Sequence, residues 1–482
     1  MTGLEDIGFV TADDEMNPDR FNLAAYVLAA GRARPEHPAL IVPGQVAWSH
    51  ADLARAVARR AGGLAALGLA QGARVLLRLG NSPDFPVTYL AAIAAGLVPV
   101  PTAAGLTAGE VTGLAARVEA ALVVAEPGIA LPEGPDAVMA TDLDAAALPV
   151  ADWVRGPADR LGYIVFTSGS GGAPKAVAHA HRAVLARRMM WEGWYGLRED
   201  DRMLHAGAFN WTFTLGTGLM DPWAIGATAI VPPPGASPAD LGRMIAAERA
   251  TIFAAAPGIY RRLLREDLPA MPALRHGLSA GEALPPALRA EWRARTGTDI
   301  HEALGMSECS TYLSGSPARP APEGTAGYPQ PGRRLRVVDG HLQVHASDPG
   351  LMLGYWQGGA PEPLAGEWFD TGDRVRVRPD GAMVHEGRTD DLLNPGGFRI
   401  SPQEVEAALA GLPVRDLAVG EITVASGARV LAAYYVGAAL DEDAARAHAA
   451  AHLAEYKRPR IWLRRDALPR NANGKLIRSK LA

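Results

Sequence analysis

A short run of glycine and hydroxyl residues ending in a lysine is the part of this chain best suited to bind phosphate. Glycines let backbone N–H groups approach an anion closely, and hydroxyl groups add donors without charge. The run differs from a Walker A loop, because Ala176 rather than Ser or Thr follows the lysine. A hydrophobic strand predicted at Tyr163–Phe166 precedes it, so we expect a phosphate-binding loop rather than a flexible turn. Its residues are Thr167, Ser168, Gly169, Ser170, Gly171, Gly172, Ala173, Pro174 and Lys175.

Lysine is rare in this chain, since only four of the 47 Lys and Arg residues are lysines. Besides Lys175 they are Lys457, Lys475 and Lys480, all close to the carboxyl end. An ammonium group is a compact point charge, whereas a guanidinium group is a planar fork. We therefore expect lysines to have been kept where a point charge contacts phosphate or carboxylate oxygen.

The elements that would position these residues alternate between helix and strand patterns in the first half of the chain. Apolar residues from Leu53 to Leu67 have the spacing of one helix face, and an apolar strand follows at Val75–Leu79. Strands separated by helices predict an α/β fold with mainly parallel sheets. The remaining predictions are a helix at 83–95 and strands at 97–100, 121–125, 163–166, 227–231 and 252–255.

The pattern changes to short strands and tight turns after about Ala318. Strands predicted at 333–339, 341–345, 374–378 and 382–386 are divided by Asp-Gly turns, which is typical of antiparallel hairpins. A helix should begin after Ser401, because Ser at the N-cap, Pro next and Glu404 form a helix-start pattern. We therefore predict a large N-terminal domain, residues 1–389, with an antiparallel subdomain. A small mobile α+β domain, residues 390–482, should follow it.

Composition excludes several classes of protein. The formal net charge of -5 argues against a general nucleic-acid binder, which needs a basic face. Cys309 is the only cysteine, which excludes an internal disulfide and cysteine-based zinc sites. Phe85–Leu106, within the longest uncharged stretch, is interrupted by Gly and Pro and predicts a buried helix and strand rather than a membrane span. The acidic N-terminus lacks a signal-peptide pattern, so a cytoplasmic location is expected.

Five segments together resemble one family. They are the loop segment 163–181, Leu304-Gly305-Met306-Ser307-Glu308, Trp368-Phe369-Asp370-Thr371-Gly372-Asp373, the stretch 387–406, and Asn473-Gly474-Lys475-Leu476-Ile477-Arg478. In this order they resemble the signature segments of the acyl-adenylate-forming superfamily, which includes acyl-CoA synthetases, adenylation domains and luciferases. Three positions depart from the family pattern: Gly171 and Ser307 replace Thr, and Leu304 replaces an aromatic residue. We expect Gly171 and Leu304 to weaken ATP binding without removing the chemistry.

The resemblance implies a site for ATP and Mg²⁺. Lys475 would contact carboxylate and phosphate oxygens, Glu308 would hold Mg²⁺, and Ser307 lies beside it among the catalytic residues. Asp373 would bind ribose and Arg388 would contact ribose or phosphate, while base-binding residues would come from two segments. These are Gly281, Glu282 and Ala283, and Glu302, Ala303 and Leu304. Taken singly, these residues have ordinary alternatives, such as an exposed lysine, a surface carboxylate or a turn aspartate.

A second step is also implied, in which the small domain rotates about a hinge at Asp390. Coenzyme A would then react through a tunnel lined by Gly396, Gly397 and Phe398, with Arg399 near its phosphates. Glycines suit such a tunnel, because a pantetheine arm needs close backbone approach. A carrier-protein pantetheine presents the same thiol, so a stand-alone adenylation enzyme stays an open alternative to an acid–CoA ligase. A non-catalytic nucleotide sensor is a third possibility.

The acid pocket is implied to be lined by one aromatic, nearly uncharged segment and by residues near Glu308. The lining residues are Phe209, Asn210, Trp211, Phe213, Gly305 and Met306. No Asp for an ammonium group and no Arg for a second carboxylate occurs in the 209–216 segment. This indicates an aryl or a short-to-medium aliphatic monocarboxylate. Alternatively, Trp211 and Phe213 are core residues of a strand. Whether the chain is a monomer or a homodimer stays open.

Overall fold

The computed structural model describes residues 17–144, 146–167, 174–389, 393, 400–424, 429–470 and 476–481, without the side chains of Tyr456 and Ser479. The helices are α1 Leu23–Ala29, α2 His50–Ala66, α3 Asp84–Ala94, α4 Ala108–Arg117, α5 Ala183–Met190, α6 Thr212–Leu215, α7 Asp221–Ile225, α8 Pro238–Ala247, α9 Pro257–Leu263, α10 Pro286–Thr296, α11 Pro402–Ala408 and α12 Glu442–His452. In this part of the chain, no helix combines the length and the hydrophobicity needed to cross a membrane.

The strands follow the same order along the chain. They are β1 Pro38–Val42, β2 Val46–Ser49, β3 Arg74–Arg78, β4 Val98–Pro101, β5 Leu122–Ala125, β6 Ala137–Met139, β7 Leu161–Thr167, β8 Lys175–Ala180, β9 Arg202–His205, β10 Thr228–Ile230, β11 Ile252–Ala254, β12 His276–Ala280, β13 Asp299–Met306, β14 Ser310–Ser314, β15 Tyr328–Pro329, β16 Leu335–Val338, β17 His341–His345, β18 Gly354–Gln357, β19 Ala360–Pro361, β20 Trp368–Val377, β21 Met383–Arg388, β22 Asp416–Thr423, β23 Arg429–Val436 and β24 Ile461–Arg464.

The described residues divide into two units, and each is built around its own sheets. The first comprises described residues of Met1–Pro322, Gly327–Arg334 and His345–Glu367. The second comprises those of Glu323–Ala326, Leu335–Val344 and Trp368–Ala482. This division places β20 and β21 with the C-terminal residues. The predicted boundary between Thr389 and Asp390 stays a prediction.

The first unit contains a nine-stranded sheet in the order β15-β14-β13-β12-β11-β9-β10-β1-β2. Its centre is parallel from β1 to β13, which confirms the predicted α/β character. Side chains alternate between the two faces of a strand, so neighbouring residues enter different cores. Leu204 and Phe253 belong to one hydrophobic cluster, whereas Met203 and Ala254 belong to the other.

A second sheet of the first unit, in the order β4-β3-β5-β6, is also parallel. The helix predicted from Leu53 to Leu67 is confirmed as α2. Ser49 caps it, and the Ser49 and Asp52 side chains each bind the other residue's backbone N–H. Leu53 and Val57 are completely buried on its inner face.

The prediction that the strand at 163–166 continues the parallel alternation is wrong. This strand, β7, pairs antiparallel with β8 in a sheet ordered β19-β18-β8-β7. The reason is local, because the glycine-rich run connects two adjacent strands directly and leaves no room for a crossover helix.

The second unit combines an antiparallel sheet, β16-β17-β20-β21, with a three-stranded sheet, β22-β23-β24. The predicted hairpins after Ala318 and the helix after Ser401 are confirmed. The Ser401 hydroxyl accepts the Glu404 backbone N–H, as an N-cap should. Val405, Leu409 and Val419 lie in the hydrophobic core of this unit.

Candidate active site

The two described ends of the glycine-rich run face each other across a hairpin. Thr167 ends β7 and Lys175 begins β8, and the two residues are direct cross-strand partners. The Arg117 guanidinium donates to the Pro174 carbonyl oxygen over 2.6 Å, which fixes the loop base. Ser168, Gly169, Ser170, Gly171 and Gly172 lie outside the described residues, so their predicted roles stay predictions.

Tyr355 connects two of the predicted site residues, and the sequence alone gave no sign of this. The Lys175 ammonium lies 4.7 Å from the centre of the Tyr355 ring. The hydroxyl of the same tyrosine donates a hydrogen bond of 2.9 Å to Glu308 Oε1. Strand β18 holds Tyr355 here, because it pairs with β8 through Tyr355 and Val177. The phosphate-loop lysine and the predicted Mg²⁺ ligand are thus ordered by one side chain.

Glu308 has the chemistry expected of a Mg²⁺ ligand. The residue is only 8% exposed, and its backbone carbonyl accepts the Met352 N–H over 2.8 Å. The part of the chain that the structure describes has no group of three or more His, Cys, Asp or Glu residues able to hold a metal ion. A single carboxylate fits Mg²⁺ all the same, because this ion usually takes one or two carboxylates together with nucleotide phosphates.

The segment before Glu308 is held from the phosphate-loop hairpin. His179 of β8 lies 2.7 Å from the Ser307 carbonyl oxygen through Nε2. Burial is the main cause that lowers the pKa of His179 to about 4, so the ring is neutral. A carbonyl oxygen only accepts hydrogen bonds, and Nε2 must therefore carry the proton. The predicted catalytic residue Ser307 is fixed through its backbone.

The two segments predicted to enclose the base lie side by side. Ala280 pairs with Ala303 in the parallel register of β12 and β13. The Glu302 carboxylate accepts the Leu284 N–H over 2.9 Å and pairs with Arg289. Glu302 therefore fixes the loop that contains Gly281, Glu282 and Ala283.

Gly281 is required by its surroundings as well as by its backbone. Its φ of +99° lies in the region that favours glycine, and a Cβ there would stand 2.6 Å from Trp211 Cζ2. Trp211 also meets Phe213 edge-on, with ring centres 5.1 Å apart. The indole thus connects the predicted acid-binding segment with the base-binding loop.

The 209–216 segment contains a helix rather than the strand considered above. Helix α6 begins at Thr212 and continues through a π-helical turn, Gly216–Met220, into α7. Phe213 belongs to the hydrophobic core and stacks on Trp194, while its role in lining the acid pocket stays a prediction. Phe209 is buried against Phe85. Asn210 and Trp211 are partly exposed and stay candidates for the pocket lining.

Gly305 and Met306 lie on β13 where it pairs with β14. The cross-strand partners of Gly305 and Met306 are Thr311 and Ser310. A Cβ on Gly305 would stand 2.5 Å from the Ser310 carbonyl oxygen and from the Thr311 Cα. The close approach of the two backbones therefore requires glycine here. Leu304 is partly exposed opposite Leu313. That Gly305 and Met306 line the acid pocket stays a prediction.

A buried ion pair near this segment was missed by the sequence analysis. Arg187 of α5 binds both carboxylate oxygens of Asp221, the shortest contact being 2.6 Å. Tyr195 and Thr217 complete the network. Nothing in the local sequence links residues that lie on separate helices. The Arg-Arg-Met-Met run around Arg187 indicates only an amphipathic helix.

In the second unit, the two predicted ribose-binding residues lie together. Asp373 and Arg388 are cross-strand partners in the β20–β21 hairpin, and their charged groups are 3.6 Å apart. Asp373 Oδ1 also lies 3.2 Å from His385 Nε2, a neighbour that sequence analysis did not identify. Arg388 Nη1 donates to the Thr371 carbonyl oxygen over 3.2 Å.

The C-terminal segments are held together by a partly buried ion pair. Arg478 binds the Glu406 carboxylate, which also accepts the Val419 N–H over 2.7 Å. Burial is the main cause that raises the pKa of Glu406. Lys457 pairs with Glu404, a contact that occupies one of the rare lysines. Lys475, Asp390, Gly396, Gly397, Phe398 and Arg399 lie outside the described residues, and their roles stay predictions.

Known proteins resemble this chain over almost its whole length. The family model described as AMP-binding enzyme matches residues 28–356. Benzoate–CoA ligase of Thauera aromatica is 32% identical over 96% of both chains. 3-Hydroxybenzoate–CoA ligase of Aromatoleum sp. strain CIB is 29% identical over 94% of both. The crystal structure of the anthranilate CoA ligase AuaEII with anthranoyl-AMP has a TM-score of 0.87 and 25% identity, covering 98% of both chains. With these motifs, this fold and these relatives, the chain belongs to the acyl-adenylate-forming superfamily of AMP-binding enzymes.

Proposed function

We propose that this chain is an ATP-dependent ligase that joins an aromatic carboxylic acid to coenzyme A. In the first step, a carboxylate oxygen attacks the α-phosphorus of ATP, giving acyl-AMP as pyrophosphate leaves. In the second, the CoA thiol attacks the acyl carbon and AMP leaves with the oxygen that linked it. The observation that carries the proposal is the set formed by Lys175, Tyr355 and Glu308 beside the glycine-rich loop.

The first step brings two anions together, so positive charge must offset their repulsion. Lys175 begins β8 at the end of the glycine-rich run, where it can neutralise phosphate oxygens. Glu308 would hold Mg²⁺, which when bound polarises phosphoryl oxygens and stabilises the developing charge. Lys475 would contact the carboxylate and the α-phosphate, a role that rests on the resemblance of its motif.

The aromatic substrate class is supported by the relatives and by the site's own side chains. The two curated relatives described above are named for benzoate and 3-hydroxybenzoate. In this chain, Trp211 offers an aromatic surface beside Gly281 and Phe213. Flat rings pack well on such surfaces.

Coenzyme A is proposed as the thiol rather than a carrier protein, because these relatives are CoA ligases. Gly396, Gly397 and Phe398 would line the thiol tunnel, with Asp390 as the hinge. A carrier-protein acceptor stays the alternative, and direct competition between the two thiols distinguishes them.

The test is acid-dependent pyrophosphate release by purified protein with Mg-ATP, using aromatic and aliphatic acids of equal concentration. We expect release with aromatic acids, followed by thioester formation when free CoA is added. Lys475→Ala should lower the rate of release by roughly two to three orders of magnitude. Failure of every acid to release pyrophosphate, with the protein shown to be folded, would refute the proposal and favour the sensor alternative.

A further inference from the structure

A small cavity lies against the predicted acid-binding segment, and its walls are more polar than the sequence indicated. Residues lining it include Tyr163, His179, Arg187, Thr212, Ser307 and Ser310. Thr212 belongs to the 209–216 segment, and Ser307 precedes the predicted Mg²⁺ ligand. The cavity therefore adjoins the place where the carboxylate and the ring of the acid are expected.

His179 carries an unused hydrogen-bond acceptor beside this cavity. Because Nε2 donates to the Ser307 carbonyl and the ring is neutral, Nδ1 must hold a lone pair. The side chain is 2% exposed, and Nδ1 has no hydrogen-bond partner among the residues that the structure describes. The ring is also fixed by stacking on Tyr163, with centres 4.8 Å apart. A buried acceptor of this kind calls for an O–H or N–H donor.

Ser310 supplies the complementary group. Its hydroxyl oxygen accepts the Arg187 Nη1–H over 3.1 Å, which leaves its own hydrogen directed elsewhere. The closest acceptor recorded for that hydrogen is the Met190 sulfur at 4.0 Å, a weak partner. Ser310 also has a φ of +66°, which is unusual for a residue with a side chain. A wall with an acceptor and a donor suits a hydroxyl group, which offers both.

The charge of the cavity excludes a second carboxylate. Arg187 is the cation in its wall, but Asp221 binds that guanidinium through both oxygens, and the pair is buried and formally neutral. A second substrate carboxylate would lose its hydration without meeting an unpaired positive charge. A neutral polar group meets no such penalty.

We infer that this cavity is a subsite for a ring hydroxyl or amino group, so that the substrate is a hydroxy- or amino-substituted aromatic acid. This inference rests on the proposed function and narrows it. His179 would accept the substituent's hydrogen, and Ser310 would donate to its oxygen. Both act as specificity-determining residues. Plain benzoate would leave the His179 acceptor unpaired.

The test compares kcat/KM for pyrophosphate release with benzoate, the three hydroxybenzoates, the three aminobenzoates, the three fluorobenzoates and terephthalate. We expect one hydroxy or amino isomer to exceed benzoate and the matching fluorobenzoate by roughly tenfold or more, since an unpaired buried polar group is costly. Terephthalate should be poor. Fluorine controls for size, because it provides no donor.

The matched variants are His179→Gln and Ser310→Ala. A glutamine amide can keep the donor to the Ser307 carbonyl, but its acceptor, Oε1, does not occupy the position of the ring Nδ1. His179→Gln should therefore lose most of the preference for the substituted acid, measured as the ratio of its kcat/KM to that of benzoate, because a loss common to both acids cancels in this ratio. Ser310→Ala should reduce the preference for the hydroxybenzoate over benzoate more than the preference for the aminobenzoate over benzoate. For wild-type protein, equal rates with benzoate, fluorobenzoates and all substituted acids would overturn the inference while leaving the ligase proposal intact. Inactivity with every aromatic acid would overturn both.

Discussion

Tyr355→Phe tests the link between the phosphate loop and the predicted Mg²⁺ ligand. The substitution removes the hydroxyl that donates to Glu308 Oε1 over 2.9 Å. It keeps the ring, and with it the contact to the Lys175 ammonium at 4.7 Å. The change therefore isolates one hydrogen bond to one carboxylate.

The expected magnitude follows from the burial of Glu308. With only 8% of the residue exposed, water replaces the lost donor poorly. A hydrogen bond to a charged group contributes about 1.5–3 kcal/mol. Because about 1.4 kcal/mol corresponds to tenfold in rate, we expect the kcat/KM of adenylation to fall roughly ten- to hundredfold.

The assay is acid-dependent pyrophosphate release at varied Mg-ATP concentration, combined with thioester formation from supplied acyl-AMP. The second measurement should not change, since the Tyr355 hydroxyl is needed only for adenylation. Tyr328→Phe is the matched control, because its ring also lies beside a cation, the Arg319 guanidinium, in the same unit. An unchanged adenylation rate, or an equal fall in both steps, would refute the reasoning.

Three further predictions concern other parts of the chain. Lys475→Ala should lower adenylation by ~3–4 kcal/mol in the transition state and spare thioester formation from acyl-AMP; equal loss of both steps would contradict its role. Gly281→Ala should raise KM for ATP and acid together, because its Cβ would collide with Trp211, and the double variant with Trp211→Ala should recover part of the loss. Burial lowers the pKa of His181 and His205 to about 3, below the ordinary 6.5. Between about pH 3 and pH 6.5, the unfolded chain therefore binds more protons than the folded chain. The free energy of unfolding, measured in urea, should fall as the pH drops below 6.5. His205→Leu should reduce that slope by about 1.4 kcal/mol per pH unit, and an unchanged slope would show that His205 does not titrate this way.

Sequence analysis predicted those features that depend on neighbouring residues. Helix α2 follows from its apolar spacing, and the hairpins after Ala318 follow from Asp-Gly turns. Local pattern could not decide whether β7 pairs in a parallel or an antiparallel manner. That choice depends on the length of the glycine-rich connection and on pairing with β18.

The site was predicted in part for the same reason. Asp373 and Arg388 were expected together because their segments carry a recognisable motif, and the β20–β21 register explains their proximity. The contact of Tyr355 with Glu308 and that of Arg187 with Asp221 join residues far apart in sequence. Neither contact leaves a periodic or compositional signal. Only the folded arrangement of the strands and helices reveals them.

The pairing of β18 with β8 has a consequence for when the nascent chain can bind nucleotide during synthesis. A ribosome delivers Val177 long before Tyr355, its partner across the sheet. Contacts between such distant positions form slowly, because a long loop must close first. A nascent chain that already contains the whole glycine-rich run will still lack the tyrosine that orders Lys175 and Glu308. Nucleotide affinity should consequently arise late in synthesis, and fragments ending before β18 should not retain ATP.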